Sequence, residues 1–349
     1  MRLRTQFLPF WFSVCLLSGP LLPGASAQGP WGWWPDPAVN RGLSVWVAYS
    51  NDYASVWSDP SSVDQAVNAM SMQGVQVAFI ALSSAASKPH LQTLSNRTDP
   101  FTANVQYLVD QLAANNIAAC ASILSDNFTG SLAQMASYVL VDHLTDFNNS
   151  LGSGDTGFNC VSTDLEMAAG SQKTRVYDLW KQFHGNMRTR ISSDGGGLQL
   201  MAWIQGPDYL IGEMAPADRQ QLMTREGITQ NAADSSLYDG AFQYFTTQGG
   251  AAIFDAVIPM WYFTPTNPYY ARLDHSVREL QSMGIANLYL IAGLMVQNGT
   301  DGVCCSGCVA GRTDYDNRIN YNDSVRMQFS NYIGTGVFLW PIKASWTCP

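Results

Sequence analysis

Eight times along this chain a short apolar run, often β-branched, gives way to a stretch whose apolar residues recur at helical spacing. Residues 43–48 lead into 60–73, where Val63, Val67 and Met70 mark one face and Gly74 ends it. Residues 75–82 precede a helix over 101–115, 118–124 a helix over 131–147, and 158–166 a helix over 173–192. Residues 198–204 are followed by 218–249, long enough for two helices broken near Gly227. Residues 256–262 and 269–283 form the sixth pair, and 287–295 the seventh strand. A cysteine-containing insert over 298–320 then precedes a helix over 323–332, and 336–340 closes the series. Near-continuous apolar strands suit a parallel sheet covered on both faces, because no strand keeps a solvated side. Eight such units predict an α/β fold, a (β/α)8 TIM barrel, with any active site at the C-terminal strand ends. An open doubly wound sheet would bring a Gly-x-Gly-x-x-Gly loop after the first strand, and residues 43–52 contain none.

Of the 349 residues, 1–28 read as a secretory leader: Arg2 and Arg4, an apolar run over 7–22, then Ala25-Ser26-Ala27. Residues 29–349 then form one catalytic barrel domain with a disulfide-containing insert after the seventh strand, in a secreted protein. Losing Arg2 and Arg4 makes the mature chain more acidic than the −9 of the full sequence. With no Lys/Arg run, neither nucleic acid nor a membrane is expected as partner, and a monomer is expected. Cys15 lies in the leader, so Cys120, Cys160, Cys304, Cys305, Cys308 and Cys348 remain. In an oxidising compartment six cysteines suggest up to three disulfides, with the pairing open. Asn96, Asn127, Asn148, Asn298 and Asn322 each begin an Asn-x-Ser/Thr triplet. Trp31, Trp33 and Trp34 lie in an irregular arm before the first strand and are expected to pack on the body rather than stack on sugar.

The chemistry is expected around Asp164 and Glu166. In a strand these two carboxylates share a face, roughly 6 to 7 Å apart along the backbone. If one of them is enclosed, repulsion together with desolvation raises its pKa, which would fit it for general acid work. A barrel would collect further groups at the same mouth: Tyr49, Asp52, Ser83, Ser125, Asp126, Gln205, Asp208, Met260, Tyr262, Gln297 and Trp340. Acids for cleavage, amides for hydroxyls and aromatic faces for pyranose C–H surfaces describe an oligo- or polysaccharide site. No metal or other cofactor is expected: His90, His143, His184 and His275 fall in predicted loops or helices, as surface or helix histidines rather than ligands. A serine hydrolase would need a Gly-x-Ser-x-Gly elbow, which is lacking.

These residues carry a resemblance. The chain resembles a divergent family 18 glycoside hydrolase, the chitinase-like (β/α)8 barrels, whose fourth strand reads Asp-Gly-x-Asp-x-Asp-x-Glu. The matching positions run from Asn159 to Glu166; Asp164 and Glu166 agree, while Asn159 and Ser162 replace acids. Pro259-Met260-Trp261-Tyr262-Phe263 is similar to the family's Met-x-Tyr-Asp, with Phe263 for the Asp, and Phe338-Leu339-Trp340 fits its closing Trp. Ser122-Ile123-Leu124-Ser125 stands where the family has Ser-x-Gly-Gly. The resemblance implies a retaining, substrate-assisted hydrolase of N-acetylhexosamine glycans. Glu166 would then be general acid/base, Asp164 and Tyr262 the holders of the acetamide, and Trp340 the floor under the sugar. Two other readings stay open: a retaining glycosidase with a protein nucleophile such as Asp208 or Asp126, and a non-catalytic lectin on the same scaffold.

Overall fold

Leu43–Ala48 (β1) opens the barrel, and its buried Val45 and Val47 face the helices outside. In the computed structural model the described residues are 30–36, 42–48, 58–83, 94, 96–128, 137–167, 173–194, 197–261, 266–295 and 312–338. The further barrel strands are β2 (Val77–Ser83), β3 (Ala118–Phe128), β4 (Cys160–Met167) and β5 (Gln199–Gln205). A two-stranded ribbon, β6 (Thr229–Gln230) and β7 (Tyr238–Asp239), precedes β8 (Ala256–Met260), β9 (Tyr289–Met295) and β10 (Tyr332–Phe338). The eight long strands close in the order β1-β10-β9-β8-β5-β4-β3-β2, and every neighbouring pair is parallel. Helices α1 (Pro60–Met72), α2 (Pro100–Ala114), α3 (Ser137–Asn149), α4 (Lys173–Asp194), α5 (Pro207–Glu213), α6 (Pro216–Glu226), α7 (Thr266–Met283) and α8 (Arg312–Arg326) fill the crossovers. This is the (β/α)8 barrel that the alternation predicts.

Local chemistry sets several boundaries. Asp59 caps α1 by accepting from Ser62 N at 3.2 Å, Asp99 caps α2 by accepting from Phe101 N at 2.8 Å, and a proline follows each cap. Helix α6 ends at Gly227, whose φ of 72° is left-handed. The helices expected over 218–249 require correction. Helix α5 precedes that range, α6 occupies its start, and beyond Gly227 come the ribbon and a 3-10 turn over Ala241–Phe245. The reason is local competition. Asn231 Oδ1 accepts from Ala233 N and Asp234 N at 2.9 and 3.0 Å, and Asp234 Oδ1 accepts from Ser236 N, which fixes turns where a helix would need straight continuation. Helix α8 also starts inside the range read as the insert, and β10 starts at Tyr332 rather than residue 336.

Two apolar layers result from the strand period of two. Outward residues such as Val45, Ala78, Ile80 and Val161 meet the helices, while Val77, Phe79, Met201, Trp203, Ile258 and Ile291 fill the cylinder. Trp203 claims space opposite Gly336, where an added Cβ would lie 2.9 Å from Trp203 Cη2. Cys120 and Cys160, paired in register on β3 and β4, form a buried disulfide in this interior. Cys304, Cys305, Cys308 and Cys348, and so the disulfide expected in the insert, lie outside the described residues.

The tryptophan arm plugs the N-terminal end of the barrel. Trp34 Nε1 donates to Ile333 O at 3.1 Å, Trp33 Nε1 to Gln199 Oε1 at 2.5 Å, and Trp31 meets Tyr289 edge-on at 5.4 Å. All three acceptors or partners stand at strand starts. Trp34→Ala is expected to destabilise the fold by about 3–5 kcal/mol, the usual cost of emptying a buried aromatic site. Chemical denaturation would read this as a lower midpoint at unchanged slope.

Candidate active site

On β4 successive side chains alternate between barrel and helices, and both faces are organised. The inward face carries Cys160, bonded to Cys120, then Ser162, whose hydroxyl is hydrogen-bonded to that of Ser122 on β3. Above them comes Asp164, 2% exposed. Ser162 stands where the resembled family carries an acid, so Asp164 has a hydroxyl pair beneath it. Glu166 occupies the strand position two residues further on; its side chain lies outside the described residues.

The outward face is clamped to α4. Trp180 Nε1 donates to Leu165 O at 3.2 Å, and His184 sits 2.7 Å from Thr163 Oγ1 and 2.8 Å from Trp180 O. A carbonyl can only accept, so His184 Nδ1 carries the proton, Nε2 is the acceptor, and the Thr163 hydroxyl donates to it. His184 is fully buried, and that burial pushes its pKa down to about 3. A neutral imidazole and an indole thereby fix the two residues flanking Asp164. Sequence reasoning passed over this clamp. Its signal was a histidine within the stripe Tyr177, Trp180, His184, Met187 and Ile191, which has core-facing spacing.

Gln205 and Met260 end β5 and β8 as register partners, both half-buried and both in phase with the inward residues Trp203 and Ile258. With Asp164 they line adjacent strand ends on one side of the mouth. Asp126 belongs to β3, but its side chain, like those of Ser83 and Ser125, lies outside the described residues. Tyr49, Asp52, Tyr262, Gln297 and Trp340 fall outside them entirely.

Asp208, expected at the mouth as a sugar-contacting group or nucleophile, is found among protein groups. It sits in the first turn of α5, 3% exposed, accepting from Tyr238 N at 2.7 Å and lying 3.3 Å from Arg272. Desolvation raises its pKa against the pull of that hydrogen bond and of Arg272. It joins α5 to the ribbon and α7, where His275 and Glu279 approach within 3.4 Å of each other. Its Oδ1 is taken by the Tyr238 N–H, and its Oδ2 faces the Arg272 guanidinium. A cavity of about 970 Å³ lies elsewhere, outside the cylinder between α4, α6 and residues 240–253. Its charges pair across the groove, Lys181 with Glu226 at 3.0 Å and Arg225 with Asp178 at 2.8 Å.

No family model and no curated protein matches this chain. Solved structures do. An endo-β-1,4-mannanase from Thermotoga petrophila is 10% identical with a TM-score of 0.51, covering 85% of this chain and 67% of that one. The likeness is one of fold, the closed barrel of eight parallel strands. A conserved exported protein from Bacteroides fragilis is 9% identical with a TM-score of 0.52, covering 86% and 69%. A GH18 chitinase from Pseudoalteromonas aurantia is 15% identical with a TM-score of 0.48, covering 85% and 94%. At such identities the likeness to the mannanase and the exported protein shows the fold alone.

Proposed function

We propose that this chain is a secreted glycoside hydrolase that cleaves N-acetylhexosamine-containing, chitin-like glycans with retention of configuration. The observation that carries the reading is the place of Asp164: inward, enclosed and near the C-terminal end of β4 in a closed barrel, with Glu166 two residues beyond. In the reaction Glu166 protonates the glycosidic oxygen while the substrate's acetamido oxygen attacks the anomeric carbon. Asp164 holds the acetamide N–H and balances the cyclic cation; Tyr262 hydrogen-bonds the acetamide and Trp340 underlies the ring. Glu166 then takes a proton from the water that opens the cyclic intermediate, so two inversions give net retention. Gln205 and Met260 line the β5 and β8 side of the sugar. The two-carboxylate alternative is weakened because Asp208 is engaged by Tyr238 and Arg272. Export is supported by the sequence leader and by the Cys120–Cys160 disulfide, a bond that persists in oxidising compartments.

Chromogenic N-acetylglucosaminides assayed beside glucosides and galactosides test the reading. Turnover confined to the acetamido sugars, blocked by a thiazoline mimic of the cyclic intermediate, is the expected result. Turnover confined to sugars lacking the acetamide removes it, and glycan binding without turnover points to a lectin.

A further inference from the structure

Five Asn-x-Ser/Thr triplets take no part in this chemistry, and the structure separates three of them. Asn322 is 1% exposed between α7, α8 and β10. Its Oδ1 accepts from Tyr269 Oη at 2.8 Å and its Nδ2 donates to Thr335 Oγ1 at 2.9 Å. A glycan on that nitrogen would break a buried network and would have no route to solvent. Asn148 is pinned too. Its Oδ1 accepts from Phe158 N at 2.8 Å and its Nδ2 donates to Phe158 O at 2.9 Å. The hydroxyl of its triplet, Ser150 Oγ, is held by Phe147 O at 2.9 Å and Arg97 Nε at 3.1 Å.

Asn96 is arranged in the opposite way. It is exposed in the turn before α2, where Asp99 N donates to Asn96 O at 2.9 Å. Its Oδ1 accepts from both Thr98 N, at 3.2 Å, and Thr98 Oγ1, at 2.8 Å, an Asx turn that uses the triplet's own hydroxyl. Among the described residues nothing engages its Nδ2. Arg97, the middle residue, anchors the turn from its other side: it bonds Gln106, pairs with Asp155 at 3.5 Å, and lies over the Phe147 ring at 4.8 Å. The amide nitrogen is therefore presented to solvent by a turn that is fixed to the body.

We propose that Asn96 carries an N-linked glycan and that Asn148 and Asn322 do not, an inference that rests on the export proposed above. In the transfer, Asn96 Nδ2 forms a bond to the anomeric carbon of a lipid-diphosphate-linked oligosaccharide. The carbon–oxygen bond to phosphate breaks, its electron pair leaves on the lipid diphosphate, and one amide proton passes to a base on the transferase. Such transfer precedes folding, so burial acts by selection: a chain modified at Asn322 cannot assemble α7, α8 and β10. The glycan would stand on the rim side of the barrel, since the turn joins the C-terminal end of β2 to α2.

The full chain should be produced in a eukaryotic secretory host twice, with its own leader and with residues 1–28 exchanged for an established secretion leader. The secreted protein is then treated with peptide N-glycosidase in heavy-oxygen water and its peptides weighed. The expected result is a labelled aspartate at position 96, unlabelled Asn148 and Asn322, and one glycan step lost in both Asn96→Gln and Thr98→Ala. Folded secreted protein with an unmodified Asn96, or with a glycan at Asn322, overturns the proposal. Retention of only the native-leader protein sinks the export reading, while the exchanged-leader protein still reports on Asn96.

Discussion

Glu166→Gln is expected to lower kcat on acetamido-sugar substrates by about 10²–10⁴-fold, the range that a positioned proton donor contributes. Glutamine keeps the size and one acceptor of the side chain and removes the transferable proton. The loss should therefore depend on the leaving group. A nitrophenolate departs with little protonation, whereas a sugar alkoxide requires it, so the variant should retain far more activity on the activated glycoside than on a natural oligosaccharide. Asp164→Asn separates the partner role. The amide still reaches the acetamide but no longer balances a positive charge, so about 10²–10³-fold should be lost, with the same factor for both leaving groups. Kinetics of both variants on both substrates check this pattern. Equal losses across leaving groups for Glu166→Gln would remove it from proton transfer.

The fold was legible because barrel strands buried on both faces read as apolar runs, and seven of the eight begin within about two residues of the sequence-based positions, inside the usual boundary error. What escaped did so for physical reasons. Helix α8 buries Arg318, Ile319, Asn322 and Val325 on one face. Two of those four are polar, because Arg318 pairs with Asp314 at 2.9 Å and lies over the Tyr269 ring, so no apolar stripe marked the helix. Asp208 looked like a mouth acid because it follows β5. Its true partner, Arg272, is 64 residues away on α7, and such pairings leave no local trace. The inward face of Asp164, by contrast, was readable, since the strand period of two puts it in phase with Cys160 and Ser162.

Stability should depend on pH with a flat top and two limbs, each set by one buried group. His184 titrates at about 3 in the folded protein against 6.5 unfolded. Between those values only the unfolded chain binds the proton, so this contribution is complete above pH 6.5 and is lost as pH falls towards 3. Glu279 behaves in the opposite sense. Desolvation first, and then the nearby Asp208 carboxylate, push its pKa up to about 8 from 4.5, against the pull of the backbone N–H groups of Phe242, Ala241 and Gly240. Between 4.5 and 8 only the folded chain keeps the proton, so stability falls as pH rises through that window. Each slope is worth at most about 1.4 kcal/mol per pH unit, and in the overlap from 4.5 to 6.5 the two oppose and nearly cancel. Below pH 4.5 the His184 slope is opposed in part by Asp208, whose pKa burial raises, and above 6.5 the Glu279 slope stands alone, costing on the order of 2 kcal/mol over the remaining interval. Urea unfolding from pH 3 to 9 should show Glu279→Gln losing the alkaline limb while keeping acceptors for the backbone N–H groups. His184→Gln should lose its share of the acid limb, whatever it does to stability overall. An alkaline limb that persists in Glu279→Gln would remove Glu279 as its source.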